Sequence, residues 1–297
     1  MINLMSKKWL FFLVSALVLV PGIISLVLYR LPFSIDFTGG SLWEVKFRSL
    51  PVKNDLQSAI TEEGIQVFSI QPSSDTYIIR LSEISQEKKE TLKGKVNEKF
   101  GEVEERRFET VGPSISKELT QKALLAVVLA SVAIVFYIAY SFRRVPQPAS
   151  SWRFGLTAVA ALLHDVLVVV GSFSILGKLF GAQIDSLFVT AILTVIGFSV
   201  HDTIVVYDRI RENLPKFDKA SFAEVVNHSI LQTLGRSINT SLTVVLVLTA
   251  LLLFGGETIR WFVVALLIGI VSGTYSSIFN AAPLLVFWQE FLEKRRR

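Results

Sequence analysis

The sequence predicts an α-helical polytopic membrane protein with a small α+β domain inserted between its first and second spans. Three observations carry this expectation. Six apolar runs are each long enough to cross a bilayer, which takes about 20 residues. One hydrophilic stretch, part helical and part strand-like in pattern, separates the first run from the second. Basic residues gather in alternate short loops, as they do on the cytoplasmic side of membrane proteins. Composition agrees: 51% of the 297 residues are hydrophobic and 19% are charged, where soluble domains carry about 25% charge.

The apolar runs fall near 9–28, 122–140, 154–176, 185–206, 236–254 and 261–288. The first is too long for the apolar core of a signal peptide, about 7–15 residues, and no A-x-A-like cleavage site follows it. It reads as an uncleaved anchor. Lys7 and Lys8 precede it, Arg143, Arg144 and Arg153 lie between the second and third runs, and Arg209, Arg211, Lys216 and Lys219 lie between the fourth and fifth. Lys294 and Arg295 to Arg297 close the chain, whereas the alternate short loops carry only Lys178 and Arg260. Both termini are therefore expected in the cytoplasm, with the inserted domain on the other side. The net charge of +5 sits beside the apolar runs. That placement suits a lipid membrane and argues against nucleic acid as a partner.

Within the inserted stretch, 41–47 (SLWEVKF) alternates like a strand, and 52–63 places Leu56, Ala59 and Ile60 on one helical face. Residues 67–70 and 77–81 (YIIRL) are strand-like, with Pro72-Ser73-Ser74-Asp75 between them as a turn. A charged helix follows over 86–100, with Leu92, Val96 and Phe100 four apart, and 103–111 reads as the last strand. The order β-α-β-β-α-β predicts a ferredoxin-like sandwich. The expected division is 1–30 for the N-terminus and first span, 31–118 for the extracytoplasmic domain, and 119–297 for five further spans and a basic tail. Ile35-Asp36-Phe37-Thr38-Gly39-Gly40 reads as a tight turn into the domain, its Gly pair supplying positive φ. Val111-Gly112-Pro113 is the matching exit. Turns this short at Gly39, Gly40 and Gly112 are expected to couple the domain mechanically to the spans.

Several chemistries are excluded or disfavoured. The chain has no Cys, so there is no disulfide framework, thiolate nucleophile or Cys-ligated metal. His164, His201 and His228 are too scattered for a zinc site. No G-x-x-x-x-G-K-[ST] loop occurs for ATP. No cofactor, no metal and no enzymatic activity are expected, so any work the protein does draws on another energy source.

Asp202 stands inside the fourth run, LFVTAILTVIGFSVHDTIVV. An ionisable group at membrane depth is costly, and is a functional-site hypothesis by default. At about 100° per residue, Thr190, Thr194, Gly197 and His201 form one small or polar stripe. Asp202 lies about 100° from its centre, among Val195, Phe198, Val205 and Val206. One reading makes Asp202 a proton-loading acid; the other makes it the fixed partner of Arg209, two turns on. Arg236, in LGRSINTSL, has two readings as well. It reaches inward to Asp202, or it snorkels with its head among phosphates, and spacing leaves the second slightly ahead. Asn239, Thr240, Ser241 and Thr243 follow it, as a hydrated path or as bonds between helices. His164 and Asp165 lie mid-span in the third run, where adjacent residues point apart and so are not expected to form one site. Ala265, Gly269, Gly273, Ser276 and Asn280 repeat every three or four residues in the sixth run. They read as a packing face, since small residues let helices approach closely.

Seven strings in order then carry a resemblance. They are IDFTGGSLWEV, ETVGPSISKEL, ALLHDV, GFSVHDTIVVYDRIREN, GRSINTSL, FGGETIRWF and GTYSSIF. Together they resemble the SecF subunits of the SecD–SecF protein translocase, within the resistance-nodulation-division superfamily, over nearly the whole chain. The resemblance implies a six-span subunit of the bacterial plasma membrane that pairs with SecD and assists the SecY-containing channel. It implies export of unfolded secretory polypeptides driven by the proton-motive force, with sodium in some marine relatives. The family's functional acid falls on Asp202 and its functional arginine on Arg236, which selects the inward reading of that arginine. His201 occupies a place where relatives often carry Asn, which leaves the coupling ion open. Two rival readings remain: half of a small-molecule or lipid exporter of the same superfamily, and a non-energised scaffold for translocon assembly. The short soluble segment argues against the first. The second requires function to survive substitution of Asp202 and Arg236.

Overall fold

The computed structural model describes residues 3–73, 75–146, 149–217 and 220–296. Ser74 of the expected turn, and Lys219 and Arg297 of the basic flanks, lie outside the described residues. In chain order the elements are α1 (Lys8–Tyr29), a single helical turn α2 (Ile35–Thr38), β1 (Gly40–Phe47), α3 (Lys53–Glu62), β2 (Val67–Ser73) and β3 (Thr76–Leu81). Then come α4 (Gln86–Phe100), β4 (Val103–Val111), α5 (Pro113–Ser141), α6 (Ser151–Phe180), α7 (Ser186–Asn213), α8 (Phe222–Phe254), α9 (Arg260–Ser276) and α10 (Ala282–Arg296). The chain divides into two compact units.

One unit comprises Phe33–Leu125 with Gln183–Ser186. Its four strands pair antiparallel in the order β2-β3-β1-β4, as the β-α-β-β-α-β pattern requires of a ferredoxin-like sandwich. Alternation in β1 sends Trp43, Val45 and Phe47 into the core, where Leu56 and Ile60 of α3 and Leu92 and Val96 of α4 meet them. A buried polar knot closes this core. Glu105 accepts from Trp43 Nε1 at 3.1 Å and from Lys89 Nζ at 3.0 Å. Lys89 is buried and also pairs with Glu90 at 2.8 Å. These carboxylates, Glu90 foremost, hold the Lys89 ammonium above the ordinary lysine pKa against the opposing effect of burial. β4 is an edge strand charged at five of its nine positions, which discourages pairing with another chain.

Two turns differ from expectation. β2 runs through Pro72 and Ser73, which pair with Tyr77 and Thr76, so the turn before β3 is tighter than the four residues Pro72–Asp75. Pro72 is tolerated because β2 is an edge strand. Ile35–Thr38, expected as part of a tight turn, takes the form of one helical turn, with Ser34 Oγ accepting from Asp36 N. Gly39 and Gly40 do have positive φ, +71° and +106°. A Cβ on Gly40 would stand 2.5 Å from Leu81 O, so space as well as conformation demands glycine there. Gly112 has no positive φ.

The other unit comprises Met1–Pro32, Ala126–Ala182 and Leu187–Arg297. Among the described residues, six helical spans are long and apolar enough to cross a membrane: Met5–Tyr29, Pro113–Ser141, Ser151–Phe180, Ser186–Asn213, Phe222–Phe254 and Glu257–Arg295. α1 lies against α6 where two glycines meet. A Cβ on Gly171 would stand 2.8 Å from Gly22 Cα. One turn on, Ser25 and Ser174 share a 2.9 Å hydrogen bond. In a bilayer, contact of this kind replaces the hydrophobic drive available in water. α9 packs on α7 through its own small residues. A Cβ on Gly269 would overlap Val195, and one on Gly273 would stand 3.0 Å from Ser199 Cβ. The last span is not one continuous α-helix, as the apolar run near 261–288 suggested. A π-turn, Ser277–Ala281, separates α9 from α10. Such turns loosen the backbone ladder, and here Tyr207 Oη donates to Ala281 O at 2.9 Å.

Candidate functional site

Among the described residues two carboxylates are buried in the spans, and their surroundings differ sharply. Asp165 on α6 is 0% exposed, and Asp202 on α7 is 3% exposed.

Four donors converge on Asp165. Oδ2 accepts from Ser199 Oγ of α7 at 2.5 Å and from Ser276 Oγ of α9 at 2.6 Å. Oδ1 accepts from Ser272 Oγ at 2.8 Å and bonds His164 Nδ1 at 2.9 Å. A carboxylate has about four lone-pair positions, so every one is filled. His164 Nε2 is buried with no hydrogen-bond partner among the described residues. The expectation that His164 and Asp165 form no common site is therefore corrected. Their Cβ atoms diverge as helix geometry demands, but the imidazole folds along the helix surface and closes the gap. Asp165 ties three helices together, and Thr203 and Ser277 extend the polar seam with a 2.8 Å bond between α7 and the π-turn.

Asp202 has far less support. Its one hydrogen bond among the described residues comes from Thr274 Oγ1 on α9, at 3.3 Å. Thr274 is itself shared, standing 2.5 Å from Ser241 Oγ of α8 and 3.0 Å from Ile270 O. A hydroxyl has a single proton, so Thr274 can donate to the acid or to Ile270 O at any moment, not to both. Ser241 has the same choice, since it also lies 2.9 Å from Ser237 O. The result is a hydroxyl chain Ser241–Thr274–Asp202 running from α8 through α9 to α7.

Arg236 on α8 lies within electrostatic reach of Asp202 but makes no ion pair with it. Arg209 is not the partner of Asp202. It bonds Glu212 at 2.8 Å and Gln232 at 2.5 Å, two turns along α7 from the acid. His201 points outward and is exposed, in line with exposed Thr190, Thr194 and Gly197. On α8, Arg236, Asn239, Thr240 and Thr243 are exposed too. A small and polar strip thus lies open on both helices that flank the acid.

Gly269 and Gly273 lie in the α7–α9 contact. Ser276 of the same stripe is a donor to Asp165, and Asn280 accepts from Ser15 Oγ of α1 at 2.8 Å. Gly39, Gly40 and Gly112 stand at the ends of β1 and β4 in the domain unit. Within the same unit, Asp36 Oδ2 accepts from Ser186 N at 2.9 Å and from Ser186 Oγ at 2.6 Å. Ser186 is the first residue of α7. Sequence reasoning missed Ser199, Ser272, Thr274 and Asp36 as members of this arrangement. Ser272 and Ser276 lie one turn apart in a span, and that spacing was the available signal. Among the described residues no group of three or more His, Asp or Glu side chains could hold a metal.

Comparison with known proteins follows the same lines. The family described as "Protein export membrane protein SecD/SecF, C-terminal" matches residues 91–291. A protein translocase subunit SecF from Thermobaculum terrenum is 49% identical, covering 100% of this chain and 98% of the relative. Another, from Anaerolinea thermophila, is 46% identical over 97% of this chain and 94% of the relative. The crystal structure of SecDF, a translocon-associated membrane protein from Thermus thermophilus, superposes with a TM-score of 0.84 at 32% identity, covering 97% of this chain. The chain spans 39% of that SecDF chain, so it corresponds to one part of it. A full-length match to SecF relatives and six apolar spans lead to one conclusion: the chain is a multi-pass membrane protein and belongs to the SecD/SecF protein-export family, as a SecF-type translocase subunit.

Proposed function

We propose that the chain pairs with SecD and uses the proton-motive force, through Asp202, to assist export of unfolded polypeptides by the SecY-containing channel. The observation that carries this is the contrast between the two acids. Among the described residues Asp165 is saturated by four donors, whereas Asp202 has one shared hydroxyl. A carboxylate that must gain and lose a proton needs hydrogen bonds that can reverse.

The charged acid draws the Thr274 proton toward itself, and Ser241 donates in turn to Thr274. When Asp202 takes a proton, its own O–H donates to Thr274, which turns to Ile270 O, and Ser241 returns to Ser237 O. The pull between Asp202 and Arg236 weakens with the same step. Loading and release thus change the bonding between α7, α8 and α9 with no proton unaccounted for. One charge crossing 100 mV is worth about 2.3 kcal/mol, so a single proton biases a two-state element modestly and work comes from repeated cycles. Asp36 holding the first residue of α7 supports transmission to the domain that contains Asp36.

The open strip on α7 and α8 supports SecD as partner. Polar side chains at membrane depth face protein or a wet cavity rather than lipid, and Arg236, Asn239, Thr190 and Thr194 are uncovered in this chain alone. The Bacillus subtilis relative, protein translocase subunit SecDF, matches this chain over only 38% of its length, so there the equivalent segment continues into a longer chain. The basic loops support an orientation with both termini cytoplasmic, and export by the SecY-containing channel would place the chain in the plasma membrane.

The test is export into vesicles under an imposed proton gradient. Asp202→Asn and Arg236→Gln are expected to abolish gradient stimulation while the gradient-independent rate persists. Undiminished stimulation in Asp202→Asn would sink the relay.

A further inference from the structure

We propose that a basic pocket at the C-terminal end of α5 binds the phosphodiester headgroup of an anionic membrane phospholipid. The pocket, about 300 Å3, is lined by Tyr137, Tyr140, Ser141, Arg143, Arg144 and Arg211. None of these residues takes part in the arrangement around Asp202.

Two of its three guanidiniums are held in place. Arg143 stacks on the Tyr140 ring, 3.9 Å from its centroid, and its Nη1 donates to Tyr140 O at 3.2 Å. Arg211 reaches over from α7, where its Nη1 donates to Ser141 O at 3.3 Å and its Nη2 pairs with Asp208 at 2.5 Å. Those carbonyl bonds satisfy the end of α5. They use few of the five N–H donors that each guanidinium carries. Arg144 is exposed and forms no ion pair among the described residues. Helix capping accounts for neither Arg144 nor the cavity.

Three cations against the one carboxylate of Asp208 leave an excess of positive charge. A phosphodiester complements it, because guanidinium forks match two oxygens of one phosphate. A zwitterionic lipid brings its own ammonium into the same field and is disfavoured. The tyrosines favour a lipid over free phosphate. Tyr137 and Tyr140 are 57% and 65% exposed and lie one turn apart at the end of an apolar span. Amphipathic rings sit there against headgroups and the first carbons of acyl chains. Pre-fixed guanidiniums also lower the ordering cost of binding.

The full chain, purified in mild detergent and equilibrated with equal phosphatidylglycerol and phosphatidylcholine, tests this by native mass spectrometry of retained lipid. Each basic residue near a membrane surface contributes roughly a fivefold factor, so the three guanidiniums of the wild type are expected to favour phosphatidylglycerol over phosphatidylcholine by roughly 100-fold. Arg143→Ala with Arg144→Ala should lower that preference about 25-fold. Arg144→Gln alone removes a side chain with no ion partner, so it keeps the fold and should lower the preference about fivefold. Arg209→Ala, basic but outside the pocket, should retain it. Loss of the preference in Arg209→Ala as well would mean diffuse charge and would overturn the proposal. So would retention in the double variant. Displacement of the lipid by millimolar inorganic phosphate would show a free-anion site and overturn the lipid assignment.

Discussion

Asp165 is predicted to act as a hydrogen-bonding hub whose charge is dispensable, and three substitutions separate that role from the role of Asp202. Asp165→Leu leaves four donors without their acceptor: Ser199, Ser272, Ser276 and the His164 Nδ1 group. A buried donor left without a partner costs about 1–3 kcal/mol. The hydroxyls recover part of this by turning to backbone carbonyls, as Ser276 can toward Gly273 O at 3.2 Å. The lower end of the range therefore applies, giving about 4 kcal/mol for the four. At roughly 2–4 °C per kcal/mol, thermal unfolding of the purified chain should fall by about 8–16 °C. Asp165→Asn should recover most of that loss. The amide oxygen keeps Ser199 and Ser276, and the amide nitrogen donates to Ser272 Oγ and to His164 Nδ1 once the imidazole proton moves to Nε2. Asp202→Leu removes one 3.3 Å bond from a threonine that retains Ile270 O and Ser241, so its cost should stay below about 1 kcal/mol.

Function should divide the other way. Asp165→Asn is expected to retain gradient-stimulated export within about twofold, because its geometry survives. Asp202→Asn is expected to lose it with an unchanged melting temperature. The assay pair is intrinsic-fluorescence melting in detergent and gradient-driven export in vesicles. If Asp165→Asn kept its stability and lost gradient stimulation, the division of labour between the two acids would be wrong, and Asp165 would itself be titrating.

Other expectations concern packing, the domain and the open face. Gly171→Leu pushes a side chain into Gly22 Cα, 2.8 Å from the first added carbon. It should part α1 from α6 and raise protease cleavage in the 30–34 segment, whereas Gly155→Leu, with open space around it, should not. Lys89→Met should lower hydrogen-exchange protection of 86–111 in the full chain about tenfold, since Glu105 loses a buried partner. The pH sign follows from the raised Lys89 pKa. Its contribution is complete below the ordinary lysine value of about 10.4 and is lost as pH rises through the higher folded value. Wild-type protection should therefore drop above about pH 10.4, and Lys89→Met should show no such drop. Gly197→Trp, placed on the exposed strip of α7, should prevent co-purification with SecD in mild detergent without shifting the melting temperature. Unimpaired co-purification would place the SecD contact elsewhere.

How much of this was legible in the chain depended on whether the signal was local. Helix 86–100 and strand 103–111 match α4 and β4 residue for residue, because caps, turns and alternation are written within a few residues. The ferredoxin-like sandwich was read from the β-α-β-β-α-β order, and the sheet β2-β3-β1-β4 is consistent with it. Asp202 declared itself because any acid in an apolar run does. Asp165 and His164 were equally visible, but what they do was not. The donors to Asp165 come from three spans separated by up to 111 positions, and a serine in a membrane helix bonds its own backbone as readily as a neighbour. The π-turn at Ser277–Ala281 has no apolar signature at all. There Tyr207 and Thr203 on α7 engage Ala281 O and Ser277 Oγ, and only packing brings these groups together. Asp202 could be found by counting charges; the contrast that supports it as the relay emerges only when its single shared hydroxyl among the described residues is set against the four donors that hold Asp165. A buried acid in a sequence therefore marks where to look, and the number of hydrogen bonds it must break to change charge decides whether it moves protons or holds helices.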